Sequence, residues 1–193
     1  NIDDYLNKRF DQPVYLNIDV MDYNARIDGK DSTFSDFLND SSLYKSTFMK
    51  YAAKTDLFFA GHFYATGAPY LFTRKDVKSH NFKISVVADV SCDIDGPVAT
   101  TIKPSTIDNP IYGYNRNTEK EDDFMSNDII AVMAVDNLPC ELPKDSSEDF
   151  GEHLIKHIIP IINSDNKIIE GATICKNGDL TKNYEYLRDY VNS

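Results

Sequence analysis

Three apolar runs limit the possible fold more than any other feature of this sequence. They are "DLFFAG" (56–61), "KISVVADV" (83–90) and "DIIAVMAV" (128–135), and each is almost continuous rather than alternating. Continuous apolar runs of this length are typical of parallel strands that helices cover on both faces. A fourth run, "VYLNIDV" (14–20), also has strand character. The sequence therefore predicts an α/β protein with a parallel sheet.

Three other segments have the spacing of helices. "SSLYKSTFMKYAAKTD" (41–56) lies between the run at 14–20 and the run at 56–61 and predicts a βαβ crossover. "KDSSEDFGEHLIKHIIPII" (144–162) contains Asp145 followed three residues later by Glu148, which is the pattern of a capping box. A last helix is predicted in "LTKNYEYLRDYV" (180–191). The predicted order is β-α-β-β-β-α-α in a single domain over residues 1–193.

Polar residues follow the three main runs at the points where the strands are predicted to end. The three segments are "GHFYATGAP" (61–69), "DVSCDIDGP" (89–97) and "DNLPCELP" (136–143). Ligands of parallel sheets bind beyond the carboxyl ends of the strands, so this edge is the candidate site. Asp136 is the most informative residue, because a carboxylate at the end of a buried strand is costly unless it meets a cation or donors. A simple helix-capping role for Asp136 has about equal weight.

Composition excludes several classes of function. With 31 acidic against 20 basic residues the net charge is −11, which argues against nucleic acid as a partner. The apolar runs are far shorter than a membrane helix, so no membrane partner is expected. Three irregularly spaced cysteines favour a reducing compartment and predict a cytoplasmic protein.

Motifs for phosphate and metal binding are incomplete. The chain has no G-x-G-x-x-G and no Walker A sequence. "SCDIDG" (91–96) resembles part of a calcium loop, but Ile102 stands where the bidentate Glu is required. His153 and His157 lie four residues apart without a third ligand in view. We therefore predict no metal site.

Two long segments carry a resemblance to a known family. "VVADVSCDIDGPVATTIKPSTIDNPIYGYN" (86–115) and "IIAVMAVDNLPCELPKDSSEDFG" (129–151) resemble the carboxy-terminal part of the saccharopine dehydrogenase and lysine-ketoglutarate reductase family. More distantly, they resemble the alanine dehydrogenase and transhydrogenase group. The resemblance implies the later half of a Rossmann-like, doubly wound dinucleotide-binding domain with carboxy-terminal helices. It also implies that the glycine-rich loop and the amino-terminal substrate domain lie upstream of this chain.

Function and site residues follow from the same resemblance. It implies an NAD- or NADP-dependent oxidoreductase that transfers hydride at a C–N bond of an amino acid or 2-oxo acid. The chain alone is expected to be inactive, and a homo-oligomer is possible. Asp136 and Asp93 are the implied catalytic residues. The implied cofactor-binding residues are Gly61, His62, Phe63, Asp89, Val90, Ser91, Asn137 and Leu138.

Within this reading Asp89 is expected to hold the loop that follows its strand. Two alternatives stay open. One is an alanine or other small amino-acid dehydrogenase, and the other is a non-catalytic α/β interaction module. The choice between NAD and NADP cannot be read from this chain, because the deciding residue follows the glycine-rich loop.

Overall fold

The computed structural model describes residues 1–62, 64 and 67–192. These residues form two compact units, Asn1–Leu138 and Pro139–Ser193. The first unit contains helices α1 (Ile2–Asn7) and α2 (Val20–Tyr23), strand β1 (Asn24–Arg26), helix α3 (Phe34–Asn39), strand β2 (Tyr44–Ser46), helix α4 (Met49–Ala52), strand β3 (Leu57–Ala60), helix α5 (Arg74–Val77), and strands β4 (Val86–Asp89), β5 (Ile111–Asn115), β6 (Lys120–Asp122) and β7 (Ile129–Met133).

The main sheet has five strands in the order β3-β4-β7-β5-β6. Strands β3, β4 and β7 are parallel neighbours, and they are the three nearly continuous apolar runs. Strand β5 runs antiparallel to β7, and β6 runs antiparallel to β5. The predicted α/β class and the parallel centre of the sheet are confirmed. The antiparallel extension was not predicted, because neither β5 nor β6 lies in one of the four apolar runs.

The core lies against one face of this sheet. Residues that share this face across the central strands, such as Val87, Val132 and Tyr114, are buried. An aromatic cluster packs nearby: the ring centroids of Phe48 and Phe58 lie 4.8 Å apart. Helix α4 supplies further buried residues to the same cluster. Apolar side chains at this density supply most of the stabilisation of a domain of this size.

Two sequence-based predictions near the amino terminus are wrong. Residues 14–20 do not form a strand, because Asp19 is the N-cap of α2 and exchanges capping hydrogen bonds with Asp22. Residues 41–56 do not form one helix. They contain a 3-10 turn, strand β2, which pairs antiparallel with β1, and only the four-residue α4. The predicted crossover between 14–20 and 56–61 is therefore absent.

The second unit contains helix α6 (Pro143–His153), a π-helical segment (Leu154–Ile158), helix α7 (Lys167–Ala172), strands β8 (Cys175–Lys176) and β9 (Asp179–Leu180), a 3-10 segment (Lys182–Leu187) and helix α8 (Arg188–Val191). Helix α6 begins close to the predicted position, with Pro143 at its first turn. Its N-cap is Leu142, so the predicted capping box does not form. The last predicted helix begins after Thr181 as expected but is divided into a 3-10 part and an α part.

Across the described residues, every helix is too short or too polar to cross a lipid bilayer.

Candidate functional site

Three parallel strands end at one edge of the main sheet. Strand β3 ends at Ala60, which pairs with Asp89 at the end of β4. Strand β7 ends at Met133, which pairs with Ala88. The residues that follow these strands therefore leave the sheet side by side. We call residues 60–62, 89–93 and 134–138 the carboxyl edge.

Asp89 is fully buried at the centre of the carboxyl edge. Its Oδ1 accepts hydrogen bonds from the backbone N–H of Ser91 at 3.1 Å, the hydroxyl of Ser91 at 2.5 Å and the backbone N–H of Cys92 at 3.1 Å. Its Oδ2 accepts from the hydroxyl of Thr101, also fully buried, at 2.5 Å. These four donors compensate the desolvation of the carboxylate.

The loop from 90 to 101 is closed on itself by these contacts. The backbone N–H of Asp95 donates to the carbonyl of Thr101 at 2.9 Å, which joins the middle of the loop to its end. Gly96 allows the tight turn after Asp93, because a Cβ at position 96 would lie 2.7 Å from the Cβ of Asp93. Asp89 therefore fixes the backbone that carries Asp93, through Thr101 and the residues after β4.

Cys92 connects the ends of β4 and β7. Its backbone adopts the left-handed region with φ of 51°, and its Sγ donates to the carbonyl of Ala134 at 3.2 Å. Burial raises the pKa of the Cys92 thiol, and the negative charges of Asp136, Asp89 and Asp93 raise that pKa further. Asp93 is half-buried in the loop after β4, and Asp136 follows β7 on the same edge of the sheet. Asp136 is exposed, so its carboxylate does not carry the desolvation cost that the sequence predicts.

His62 follows β3 directly and is half-buried. Both of its ring nitrogens are buried and find no hydrogen-bond acceptor or donor among the described residues. Burial lowers the pKa of His62, while the nearby charges of Asp89 and Asp93 oppose that shift. The ring is therefore neutral at pH 7 and offers one donor and one acceptor for which the described part of the chain provides no partner.

The other predicted cofactor residues occupy different environments. Gly61, Val90 and Asn137 are exposed, and Leu138 is half-buried at the start of a 3-10 turn, Leu138–Glu141. Phe63 lies outside the described residues. The exposed groups are open to a ligand, whereas the carboxylate of Asp89 is already occupied by its donors.

Sequence reasoning missed two residues that organise this region. Thr101 has no motif that distinguishes it from its neighbour Thr100, so only the fold reveals its contact with Asp89. Arg74 in α5 pairs with Asp95 and, at 3.4 Å, with Glu119 at the end of the β5–β6 turn. A cavity of about 230 Å³ lies between Arg74, Asp95 and Tyr70.

A second cavity, of about 330 Å³, lies beside the carboxyl edge. It is lined by polar groups that include Ser105, Thr106, Asn109 and Tyr112. Ser105 also borders the end of β7, because its hydroxyl accepts from the backbone N–H of Ala134 at 2.9 Å. The carboxyl edge therefore continues into an open polar recess.

The candidate metal motifs do not assemble. In the part of the chain that the structure describes, no three His, Cys, Asp or Glu side chains converge as metal ligands. Asp95, which the calcium-loop pattern would use as a ligand, pairs with Arg74 instead.

A dinucleotide fits this edge only in part. The ring nitrogens of His62 have no partner among the described residues, and Gly61 and Asn137 are exposed, so these three residues are available to a ligand. The chain has no G-x-G-x-x-G to hold the diphosphate.

The chain is similar to known proteins over most of its length. The protein-family model described as "Alanine dehydrogenase/PNT, C-terminal domain" matches residues 14–184. The chain is 29% identical over 119 residues to an alpha-aminoadipic semialdehyde synthase of Arabidopsis thaliana, covering 58% of the chain and 11% of that protein. It is 25% identical over 155 residues to the mitochondrial alpha-aminoadipic semialdehyde synthase of Bos taurus, covering 66% and 17%.

The chain is also similar to a shorter protein. The chain is 30% identical over 119 residues to saccharopine dehydrogenase [NAD(+), L-lysine-forming] of Schizosaccharomyces pombe, covering 58% of the chain and 30% of that protein. The chain therefore spans less than a third of the length of each of these relatives.

Proposed function

This chain belongs to the family of alanine dehydrogenase/PNT C-terminal domains, and from that premise we propose that it is the later part of a nicotinamide-dinucleotide-binding domain. The parent enzyme is a dehydrogenase of saccharopine dehydrogenase type, which acts at the C–N bond of an amino acid. Its cofactor is NAD or NADP. Its substrate pocket and its glycine-rich loop are supplied by polypeptide that is not part of this chain.

One observation carries the proposal: Asp93 follows β4 and Asp136 follows β7, so the two carboxylates leave the sheet at the ends of adjacent parallel strands. Two carboxylates on one edge create a negative field where parallel sheets bind their ligands. A positively charged substrate nitrogen is the group that such a field favours.

Four residues of the carboxyl edge then have defined roles. When bound, the nicotinamide supplies or accepts the hydride. Asp136 stabilises positive charge on the substrate nitrogen, and Asp93 adds to the same field. Asn137 donates to or accepts from the carboxamide or ribose. The neutral ring of His62 makes a hydrogen bond to the cofactor that the described residues leave unmade.

The test uses the full-length polypeptide that contains this chain. Calorimetry with NADH and with NADPH measures cofactor binding, and steady-state kinetics measures turnover with amino-acid substrates. We expect Asp136→Asn to lower kcat by about 100-fold or more, which is the usual loss when one preorganised electrostatic group is removed. Its affinity for the reduced cofactor should stay near that of the unchanged protein.

Asp56→Asn is the matched control. Asp56 is exposed and precedes β3, so it lies at the opposite edge of the same sheet. The same chemical change there should leave kcat unchanged. Turnover that is equally insensitive to both substitutions removes Asp136 from the site. If neither NADH nor NADPH binds to the full-length polypeptide, the chain is instead part of a non-catalytic module.

A further inference from the structure

Four charged side chains of the first unit form a continuous series of ion pairs. Lys78 Nζ lies 2.5 Å from one carboxylate oxygen of Glu119, and the other oxygen lies 3.4 Å from the guanidinium of Arg74. A second nitrogen of that guanidinium pairs with the carboxylate of Asp95. We call these four residues the ion-pair network. It joins helix α5, the turn between β5 and β6, and the loop from 90 to 101.

The two acidic residues of the ion-pair network have an unfavourable backbone conformation. Asp95 has φ of 52° and Glu119 has φ of 59°, both in the left-handed region. This region is unfavourable for a residue with a Cβ, and Gly avoids that cost. The backbone therefore does not explain an acidic residue at either position. The ion pair with Arg74 is what each of these side chains adds.

Ion pairs as exposed as these contribute little to the stability of the whole fold. The side chain of Arg74 is 43% exposed, and those of Asp95 and Glu119 are 62% and 30% exposed. Solvent screens such pairs, and ordering the side chains costs conformational entropy. We therefore expect the network to act on the segments that it joins rather than on the free energy of unfolding.

One of these segments carries Asp93. Residues 93–96, which we call the Asp93 turn, lie between two anchored parts of the loop. The hydrogen bonds of Asp89 hold the backbone before the turn. After the turn, the backbone N–H of Leu71 donates to the carbonyl of Pro97 at 3.0 Å. The orientation of the turn between these anchors depends on the contacts of its own four residues.

The side chain of Asp95 makes the main contact of the Asp93 turn with another element. In the part of the chain that the structure describes, the carboxylate of Asp93 accepts no hydrogen bond, so the backbone sets its position. A cavity of about 230 Å³ borders Arg74 and Asp95, so close packing does not hold the turn there. The hydroxyl of Tyr70 adds only a long hydrogen bond to the carbonyl of Asp95, at 3.4 Å.

We propose that Arg74 is a positioning residue for Asp93. Its guanidinium holds the carboxylate of Asp95 and thereby keeps the Asp93 turn in the orientation that places Asp93 at the carboxyl edge. The importance of this position for turnover rests on the proposed function, whereas the hold on the turn does not.

Glu119 extends this device to the opposite edge of the sheet. Asn115 at the end of β5 pairs with Ile129 at the start of β7, so the turn after β5 lies away from the carboxyl edge. A hydrogen bond from Lys78 lowers the pKa of Glu119, and the charge of Arg74 lowers that pKa further, so Glu119 is ionised at pH 7. The turn between β5 and β6 therefore helps to fix the guanidinium that holds the Asp93 turn.

Amide hydrogen exchange of the full-length polypeptide that contains this chain tests the hold on the turn. Arg74→Met removes the charge, and we expect the amides of Asp95 and Gly96 to exchange about 10-fold faster in it. The amide of Val87, in a strand with neighbours on both sides, should be unchanged. Lys75→Met is the matched control, because Lys75 lies in the same helix and has no ion pair with another described residue.

Asp95→Asn tests the same contact from the other side. Asn adopts the left-handed region at least as readily as Asp, so the melting temperature should not fall. Exchange in the Asp93 turn should nevertheless become faster. The double variant with Arg74→Met should exchange no faster than the faster single variant, because both changes remove one ion pair. A residue with only a general structural role would lower the melting temperature instead.

Steady-state kinetics of the full-length polypeptide measures the effect on the site. We expect Arg74→Met to lower kcat by about 10-fold and to leave the affinity for the reduced cofactor unchanged, because a small misplacement of a group affects the reaction more than binding. Arg74→Lys should restore part of the loss, since an ammonium keeps the charge but not the planar fork. In an Asp93→Asn background, Arg74→Met should cause no further loss. Lys75→Met should leave kcat unchanged.

Three results would overturn the proposal. They are unchanged exchange of Asp95 and Gly96 in Arg74→Met, an equal acceleration at Val87, and a normal kcat of Arg74→Met when Asp93→Asn lowers kcat. If Asp93→Asn leaves turnover unchanged, or if neither NADH nor NADPH binds, the proposed function fails. Faster exchange confined to the Asp93 turn would then still support Arg74 as the residue that positions Asp93.

Discussion

Replacing Asp89 tests whether a buried carboxylate holds the loop that carries Asp93. Asp89 is fully buried, and its oxygens accept four hydrogen bonds, three from Ser91 and Cys92 and one from Thr101. Asp89→Ala removes the acceptor and leaves these donors in place. Asp89→Asn keeps one oxygen of the same shape but removes the charge.

The magnitude follows from the burial of the donors. The hydroxyl of Thr101 is fully buried and loses its acceptor in Asp89→Ala, at about 1–3 kcal/mol. Ser91 and Cys92 are half-buried and can recruit water, so their three hydrogen bonds together contribute about 2 kcal/mol more. We therefore expect Asp89→Ala to lower the free energy of unfolding by about 3–5 kcal/mol. Asp89→Asn should cost only about 1–2 kcal/mol, because the oxygen that serves Ser91 and Cys92 is retained.

Urea unfolding, followed by circular dichroism, measures these differences. Asp56→Ala is the control, because Asp56 is exposed and its substitution should change the free energy of unfolding by less than about 0.5 kcal/mol. Thr101→Val removes the fourth donor alone, and its effect should be far from additive with that of Asp89→Asn. The reasoning is refuted if Asp89→Ala costs less than about 1 kcal/mol, or if the Asn and Ala variants are equally unstable.

Three further measurements follow from shifted pKa values. The pKa of Cys92 can be measured from the pH dependence of its alkylation rate in a protein whose other two cysteines are replaced by Ser. This pKa should fall in Asp136→Asn and in Asp93→Asn. An unchanged pKa in either variant would show that the carboxylate in question does not affect the thiol. Burial raises the pKa of Tyr112 to about 12 from an ordinary value of 10.0, so its contribution to stability is complete below pH 10 and is lost as the pH rises to 12. Tyr112→Phe should remove that part of the alkaline loss of stability, and an identical profile would contradict the assignment. Burial lowers the pKa of His62, so the unfolded chain binds a proton at a higher pH than the folded chain does. The free energy of unfolding should therefore fall as the pH drops below 6.5. His62→Gln should abolish this effect in acid unfolding curves.

The sheet could be predicted where the sequence signal comes from complete burial. The runs that became β4 and β7 are central strands with neighbours on both sides, and their continuous apolar character led directly to the parallel core. Strand β5 also has buried residues, but its sequence "IYGYN" follows a Pro-containing loop and lacks the continuous pattern. Strand β6 is exposed along its whole length, so no hydrophobic periodicity could reveal it.

The predictions for short elements near the amino terminus were wrong for a different reason. The helical spacing in 41–56 is real, but Tyr44 is buried in the β1–β2 pair, where its ring packs on Phe37 with centroids 5.0 Å apart. This tertiary contact overrides a local preference that amounts to less than about 1 kcal/mol per residue. A residue such as Tyr44 can be buried on a helix or on a strand, so the sequence alone does not show which of the two forms.

The position of the carboxyl edge could be predicted from the sequence, because it depends on the direction of the strands rather than on side-chain contacts. Once β3, β4 and β7 were interpreted as parallel, the residues after them had to share an edge. The hydrogen bonds within that edge could not be predicted from the sequence. The contact of Asp89 with Thr101 spans twelve residues and depends on the turn at Gly96, which no periodicity encodes.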